Sequence, residues 1–166
     1  MMKKTLICGI LLGILWGCYS FSATSLPAHI KSVRINNVVN QSSDPALGVR
    51  LQQGIEELFR REASAITIVT DDNTDADAEF SITLLSYSNN PDVFSRDATV
   101  ETYRSIVAVS VLFQDNIKNE IIYEARTLNA DGQYDVLKNE SEEEHGQRRA
   151  IERLQELIIT NALARW

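Results

Sequence analysis

Residues 99–113 read TVETYRSIVAVSVLF, and this stretch has the longest strand pattern in the chain. One face of the predicted strand carries Tyr103, Val107, Val109, Val111 and Phe113, and the other carries Ile106, Ala108 and Leu112. A strand that is apolar on both faces is typical of the interior of a sheet. The stretch therefore predicts a central strand around which the rest of the fold is arranged.

Shorter strand patterns lie on both sides of this stretch. Residues 79–88 alternate between apolar and polar side chains, and residues 120–128 return as a strand after a polar turn at 114–119. Alternation of this kind is typical of half-buried strands. The order of these strands from Phe80 to Leu128 predicts an antiparallel meander, followed by a loop at 129–133.

Two amphipathic helices and two further strands complete the predicted fold. A strand at 30–39 precedes a helix that ends near Glu62, a short strand follows at 66–69, and a second helix runs to Trp166. Helical spacing relates Leu47, Leu51, Ile55 and Phe59 in the first helix, and Ile151, Leu154, Ile158 and Ala162 in the second. The order β-α-β-β-β-β-α predicts an α+β fold in which two helices pack on one face of a mixed four- to five-stranded sheet.

The N-terminus has the pattern of a secretion signal. Lys3 and Lys4 precede an apolar stretch at 6–16, and the residues at 15–18, Leu-Trp-Gly-Cys, resemble the lipobox of bacterial lipoproteins. The resemblance implies that Cys18 is acylated and becomes the mature N-terminus. The alternatives are an ordinary signal peptide cut elsewhere and an uncleaved anchor helix. The apolar stretch is short for an anchor, because a spanning helix needs about 20 apolar residues.

Processing before Cys18 divides the chain into three parts and makes it more acidic. We predict a signal peptide at 1–17, a lipidated tether at 18–29 and a single α+β domain at 30–166. Removal of the signal takes away two of the 16 basic residues and none of the 23 acidic ones, so the net charge falls from −7 to −9. This balance argues against nucleic acid as a partner, because proteins bind phosphates through Lys and Arg. The predicted contact with a membrane is through the N-terminal lipid.

No catalytic or metal-binding motif is evident in the sequence. His29 and His145 are the two histidines, and neither has a partner at ligand spacing. The acidic residues at 71–77 lack the glycine of a calcium loop, and there is no P-loop, nucleophile elbow or dinucleotide-binding loop. We therefore expect no cofactor and no enzymatic activity. A periplasmic enzyme is the alternative that this absence of motifs disfavours.

Three residues are candidates for contact with a partner or with an anionic ligand. Residues 89–98 predict a long connection between strands, and they include the aromatic Phe94 and the basic Arg96. Arg104 follows in the next strand, where a guanidinium group suits an anionic sugar or phosphate. The alternatives are internal contacts: Phe94 with the domain, Arg96 with Asp92 or Asp97, and Arg104 with Glu101 or Glu124.

Several short motifs occur in the same order as in a known family. They are CYSF at 18–21, LPAHIKSV at 26–33, NQSSDP at 40–45, ADA at 76–78, ITLLSY at 82–87, ETYR at 101–104, GQYDV at 132–136 and the final helix from 150 to 166. Through these motifs the chain resembles the LptE family of lipopolysaccharide-assembly lipoproteins.

The resemblance implies a non-enzymatic role at the outer membrane. Members of this family act as plug and assembly partner of the LptD β-barrel, on the periplasmic face, and bind lipopolysaccharide. The residue after Cys18 is Tyr19 rather than aspartate. In enteric bacteria a residue other than aspartate at this position favours transfer to the outer membrane. The alternative is another envelope lipoprotein adaptor, of the curli-secretion or peptidoglycan-synthase-activator type. Those proteins usually carry a Glu-Arg motif beyond the second strand, which residues 66–77 lack.

Overall fold

The computed structural model describes residues 26–70, 74–136 and 142–163 of the 166-residue chain. The predicted signal peptide, Cys18 and most of the predicted tether lie outside the described residues. The elements are β1 Ser32–Ile35, β2 Val39–Asn40, α1 Pro45–Glu62, β3 Thr67–Val69, β4 Ala78–Phe94, β5 Val100–Asp115, β6 Glu120–Asp135 and α2 Glu143–Leu163. In this described part, no helix is long and apolar enough to cross a membrane.

The six strands form one mixed sheet in the order β3-β1-β4-β5-β6, with β2 also paired to β4. β1 is parallel to both β3 and β4, whereas β4, β5 and β6 form the predicted antiparallel meander. The predicted α+β fold class is confirmed. The sheet has one strand more than expected because the predicted strand at 30–39 is interrupted. Between β1 and β2, the Val38 N–H donates to the Gln52 side chain of α1 rather than to a strand.

Helix α1 begins and ends at residues that satisfy its terminal backbone groups. The Asp44 side chain accepts a hydrogen bond from the Ala46 N–H at 2.9 Å, and Pro45 occupies the first turn, where no N–H partner is needed. At the other end the Ala63 N–H donates to the Phe59 carbonyl. The helix therefore spans the residues that its apolar spacing predicts.

Both helices pack on the same face of the sheet and enclose one core. Phe59 of α1 meets Phe80 of β4 and Phe113 of β5, with ring centroids 5.1 to 6.5 Å apart and tilted or edge-to-face geometry. All three rings are fully buried. The same core contains Leu154 and Ile158 of α2. Aromatic pairs of this kind add about 0.5–1.5 kcal/mol each beyond their burial, so this trio joins α1 to the centre of the sheet.

Helix α2 lies unusually close to β6, because glycines face each other at the contact. A Cβ atom added to Gly132 of β6 would lie 2.2 Å from the carbonyl oxygen of Gly146 in α2. A Cβ atom added to Gly146 would lie 2.6 Å from the Tyr134 ring. Gly132 does not mark a loop, since β6 continues through it.

The loop predicted at 129–133 is wrong, and of the loop predicted at 89–98 only residues 95–98 lie in the connection between strands. β4 extends to Phe94 and the connection to β5 is a tight turn, and β6 runs without a break to Asp135. Most polar residues of these segments, such as Asn90, Asn129 and Gln133, face away from the helices, where a strand needs no apolar side chain. Pro91 is accommodated because a register shift against β5 follows it at Pro91–Val93. The turn predicted at 114–119 is confirmed, with Asn119 in the left-handed region at φ 57°.

Candidate partner interface

The sheet face opposite the helices is uncovered and rich in hydroxyl and amide groups. Along β4, β5 and β6 it presents Ser81, Thr83, Ser86, Ser88, Asn90, Ser110, Gln114, Asn129 and Gln133. We call these residues and their neighbours on the same face the uncovered face. A groove of about 420 Å³ crosses it between Thr83, Ser110 and Glu124. Its apolar residues include Ile106 and Ala108, which are half-buried, and Leu112, which is 36% exposed beside the groove. Polar side chains outnumber them, so the face is suited to polar contacts over a wide area.

The charged side chains of the uncovered face pair with one another. Arg34 lies 3.4 Å from Glu79, and Arg126 lies 3.7 Å from Glu124. Arg104 forms the third set of ion pairs, with Asp92 and Asp131. The face is therefore close to neutral although the whole chain has a net charge of −7. The acidity of the chain does not oppose contact between this face and a polar surface.

Arg104 is held by two carboxylates at the far end of the uncovered face. Its Nε and one terminal nitrogen donate to both oxygens of Asp92 at 2.9 and 3.0 Å, and its other terminal nitrogen donates to Asp131 at 3.0 Å. The hydrogen bonds from Arg104 lower the pKa of Asp92, and Asp92 in turn raises the pKa of Arg104. Neither Glu101 nor Glu124 is the partner, because the register shift in β4 brings Asp92 next to Arg104. A contact between Arg104 and an external anion stays a prediction.

The turn between β4 and β5 presents apolar and basic side chains to solvent. Phe94 is 56% exposed and Val93 is 44% exposed, so Phe94 does not fold back into the core. Arg96 is exposed as well, and within the described residues no ion pair joins it to Asp92 or Asp97. The turn is closed by hydrogen bonds between Ser95 and Thr99. We call residues 93–99 the hairpin tip; the structure brings Phe94 and Arg96 together there.

A polar cluster lies on the helix face between the hairpin and the start of α2. The Tyr87 hydroxyl donates to Glu143 and lies 3.4 Å from the hydroxyl of the fully buried Ser105. Burial and the carboxylate acceptor raise the pKa of Tyr87 to about 12. Nearby, the Asn89 amide donates to the Tyr134 hydroxyl at 2.9 Å. All these groups have partners, so the cluster positions α2 on the hairpin rather than offering a reactive group.

At the end of the domain opposite the hairpin tip, hydrogen bonds hold the segment that enters from the N-terminus. His29 Nε2 lies 2.5 Å from Asp115 Oδ2 at the end of β5, and the Lys31 and Ser32 N–H groups donate to Asp77 at 2.8 and 2.9 Å. Burial acts to raise the pKa of Asp115, but hydrogen bonds from the Lys118 N–H, His29 and the Ile117 N–H outweigh it and lower the pKa. The Lys31 N–H lowers the pKa of Asp77, against the opposing effect of burial.

The described residues contain no group of three or more His, Cys, Asp or Glu side chains that could hold a metal ion. His29, which the sequence presents without a ligand-spaced partner, pairs with Asp115 instead. Sequence reasoning missed Asp131 as a partner of Arg104. The spacing of 27 residues carries no local signal, and only the β5–β6 register brings the two together.

A profile of the family described as "LptE: Lipopolysaccharide-assembly" matches residues 30–163. The chain belongs to the LptE family. The match confirms the resemblance found in the sequence motifs and assigns this LptE-family chain to lipopolysaccharide assembly. The family is one of non-enzymatic lipoproteins. No curated protein is similar enough in sequence to be matched.

Solved structures with a similar fold come from several bacteria. The PelC dodecamer from Paraburkholderia phytofirmans has a TM-score of 0.52 and 13% identity to this LptE-family chain, covering 84% of it and 93% of PelC. The hypothetical protein CT253 from Chlamydia trachomatis has a TM-score of 0.52 at 11% identity, covering 80% and 98%. A putative neuraminyllactose-binding hemagglutinin homolog from Helicobacter pylori has a TM-score of 0.51 at 7% identity, covering 86% of both chains. At these identities the likeness shows the fold alone.

Proposed function

We propose that this chain is a lipid-anchored protein of the outer membrane. In this proposal it occupies the lumen of an LptD-like β-barrel as its plug and assembly partner in lipopolysaccharide transport. Membership of the LptE family supports a part in lipopolysaccharide transport. The uncovered face supports the more specific proposal that the chain is a plug inside the barrel. That face is the observation on which the proposal depends.

The lumen of an outer-membrane barrel is a polar surface, because the apolar side chains of its strands face the lipid. A protein that fills a lumen needs polar side chains that hydrogen-bond to it without a large net charge. The uncovered face meets both conditions, since its hydroxyl and amide groups are accessible and its charged groups are paired.

Acylation of Cys18 supplies the membrane anchor in this proposal. Each buried CH₂ group of an acyl chain contributes about 0.8 kcal/mol to membrane binding, so two or more chains hold a soluble domain without help from its fold. Cys18→Ser would leave an unlipidated precursor. Membrane-bound, acylated protein recovered from that variant would contradict the assignment of Cys18.

The hairpin tip is the part of the domain that we propose for contact with the partner or with lipopolysaccharide. Phe94 offers an exposed ring and Arg96 an exposed cation within three residues. Arg104 lies behind them in an ion-pair network that braces the hairpin. An acyl chain and a phosphate are the two chemical groups that this combination suits.

Recovery of partners from native membranes tests the proposal. The full chain, carrying a photoreactive residue at Ser86 or Asn129 of the uncovered face, should cross-link to a large outer-membrane barrel protein. Control positions at Gln53 and Glu57 of α1, which are also exposed, should cross-link with lower yield if the uncovered face lies against the lumen wall. Recovery of peptidoglycan synthases alone, or of no partner, would contradict the plug function.

A further inference from the structure

The outer edge of β6 is protected along only part of its length. β6 is the last strand of the sheet, so one side of its backbone has no strand partner. Arg153 donates to the carbonyl of Asp131 at 3.0 Å, and Arg149 donates to the carbonyl of Gln133 at 2.6 Å. Among the described residues, no side chain hydrogen-bonds to the β6 backbone between residues 124 and 130. An edge without such cover is a template for another strand.

The charges on the unprotected part of β6 are complementary to those of a second, antiparallel copy of the strand. Glu124 and Arg126 are two residues apart on the uncovered face, with side chains 46% and 92% exposed. If two copies of β6 run antiparallel with Ala125 at the centre, Glu124 of each copy lies opposite Arg126 of the other. Opposite charges in directly facing positions stabilise a strand pair, and a two-fold axis produces the contact twice.

The same alignment fits the extent of the unprotected edge. With Ala125 opposite its own copy, Glu120 lies opposite Ala130, the residue just before the carbonyl of Asp131 that Arg153 covers. The pairing therefore ends where the side-chain cover begins. Register shifts of β6 against β5 fall at residues 121–123 and at residues 125–128, the second including Arg126, so the regular part of the strand is short. We expect the contact to be weak and reversible for that reason.

We propose that two copies of this chain associate through the outer edges of their β6 strands, antiparallel and centred on Ala125, while they are not in a barrel. The inference goes beyond the plug function and does not rest on it. A lumen that holds one domain leaves no room for the paired sheet, so the pair is a form of the chain outside the barrel.

A disulfide placed at the two-fold centre traps the pair. In the full chain produced in membranes, Ala125→Cys places each thiol opposite its own copy, where facing Cβ atoms are about 4.5–5.5 Å apart and a small adjustment allows a disulfide. Asn129→Cys is the matched control on the same strand, since its two copies would be separated by about 27 Å. Mild oxidation should give a covalent dimer of the first variant at least fivefold more than of the second. Equal yields from the two variants would overturn the proposal.

Charge reversal distinguishes this specific contact from disulfide formation during random encounters of two molecules. In the Ala125→Cys background, Glu124→Arg or Arg126→Glu places like charges opposite each other and should lower the dimer yield at least threefold. The double variant E124R/R126E restores opposite charges and should recover the yield. Because Glu124 and Arg126 are exposed, these changes leave the core intact. Failure of the double variant to recover the dimer would refute pairing in this register.

Discussion

Replacement of Gly132 by alanine tests how tightly α2 is held against β6. The added Cβ atom would lie 2.2 Å from the carbonyl oxygen of Gly146 and 2.7 Å from the Ala150 nitrogen, both of them backbone atoms that cannot rotate away. Ordinary contact begins near 3.4 Å, so helix and strand must separate by about 1 Å over a buried interface. Overpacking of this kind costs about 2 kcal/mol. A domain of this size should then lose about 6 °C in Tm.

The effect arises from packing alone, because no described glycine has a positive φ. Gly54→Ala is the matched control. There the new Cβ atom meets only the end of the Gln155 side chain, which can move away at the cost of its hydrogen bond to the Arg50 carbonyl. That loss of about 1 kcal/mol is offset by the higher helix propensity of alanine, also about 1 kcal/mol. Thermal unfolding of the full chain, followed by circular dichroism, measures both variants. Equal Tm values for Gly132→Ala and the unmodified chain would refute the close-packing argument.

Three further outcomes follow from the core, the entry end and the hairpin. Phe59→Ala removes one ring of the aromatic trio and should cost about 3–5 kcal/mol in denaturant unfolding; a loss below 1 kcal/mol would show that the trio is not a packed core. The pKa of Asp115 is lowered in the folded state, so its carboxylate stabilises the fold above the unfolded value near 3.9 and this contribution is lost as the pH falls below it. Asp115→Asn should therefore reduce the free energy of unfolding at pH 7 and flatten its decline between pH 4 and pH 2 in acid titrations. An unchanged decline would exclude Asp115 as a source of this pH dependence. Arg104→Ala should raise the pKa of Asp92 towards its ordinary value, as NMR titration would detect, and speed amide exchange in residues 91–100; unchanged exchange would contradict the bracing role.

The sequence predicts the parts of the fold in which apolar side chains repeat at a regular spacing. The stripe of α1 and the two-sided pattern at 99–113 are of this kind, because both are buried against other elements. The ends of β4 and β6 were missed because most of their polar residues lie on the uncovered face, while Asn89 hydrogen-bonds on the helix face. Asn89, Asn90 and Pro91 resemble a turn by composition, and only pairing with β5 holds them in a strand.

The candidate interface was harder to predict than the fold. Phe94 and Arg96 are recognisable as candidates because an aromatic and a basic residue lie close together in a polar segment. The partners of Arg104 depend on two strand registers and one register shift, which a single sequence does not reveal. The uncovered face likewise becomes visible only when both helices are known to lie on the other side.

The long strands separate the two ends of the domain. The chain enters at His29, beside the end of β5 at Asp115, whereas the hairpin tip lies beyond the start of the same strand at Val100. Sixteen residues of strand extend about 50 Å. With the proposed tether entering near His29, the exposed ring of Phe94 is held at about that distance from the tether. The sheet therefore fixes the distance between the tether and the hairpin tip. A longer tether would let the whole domain move further but would not change that distance.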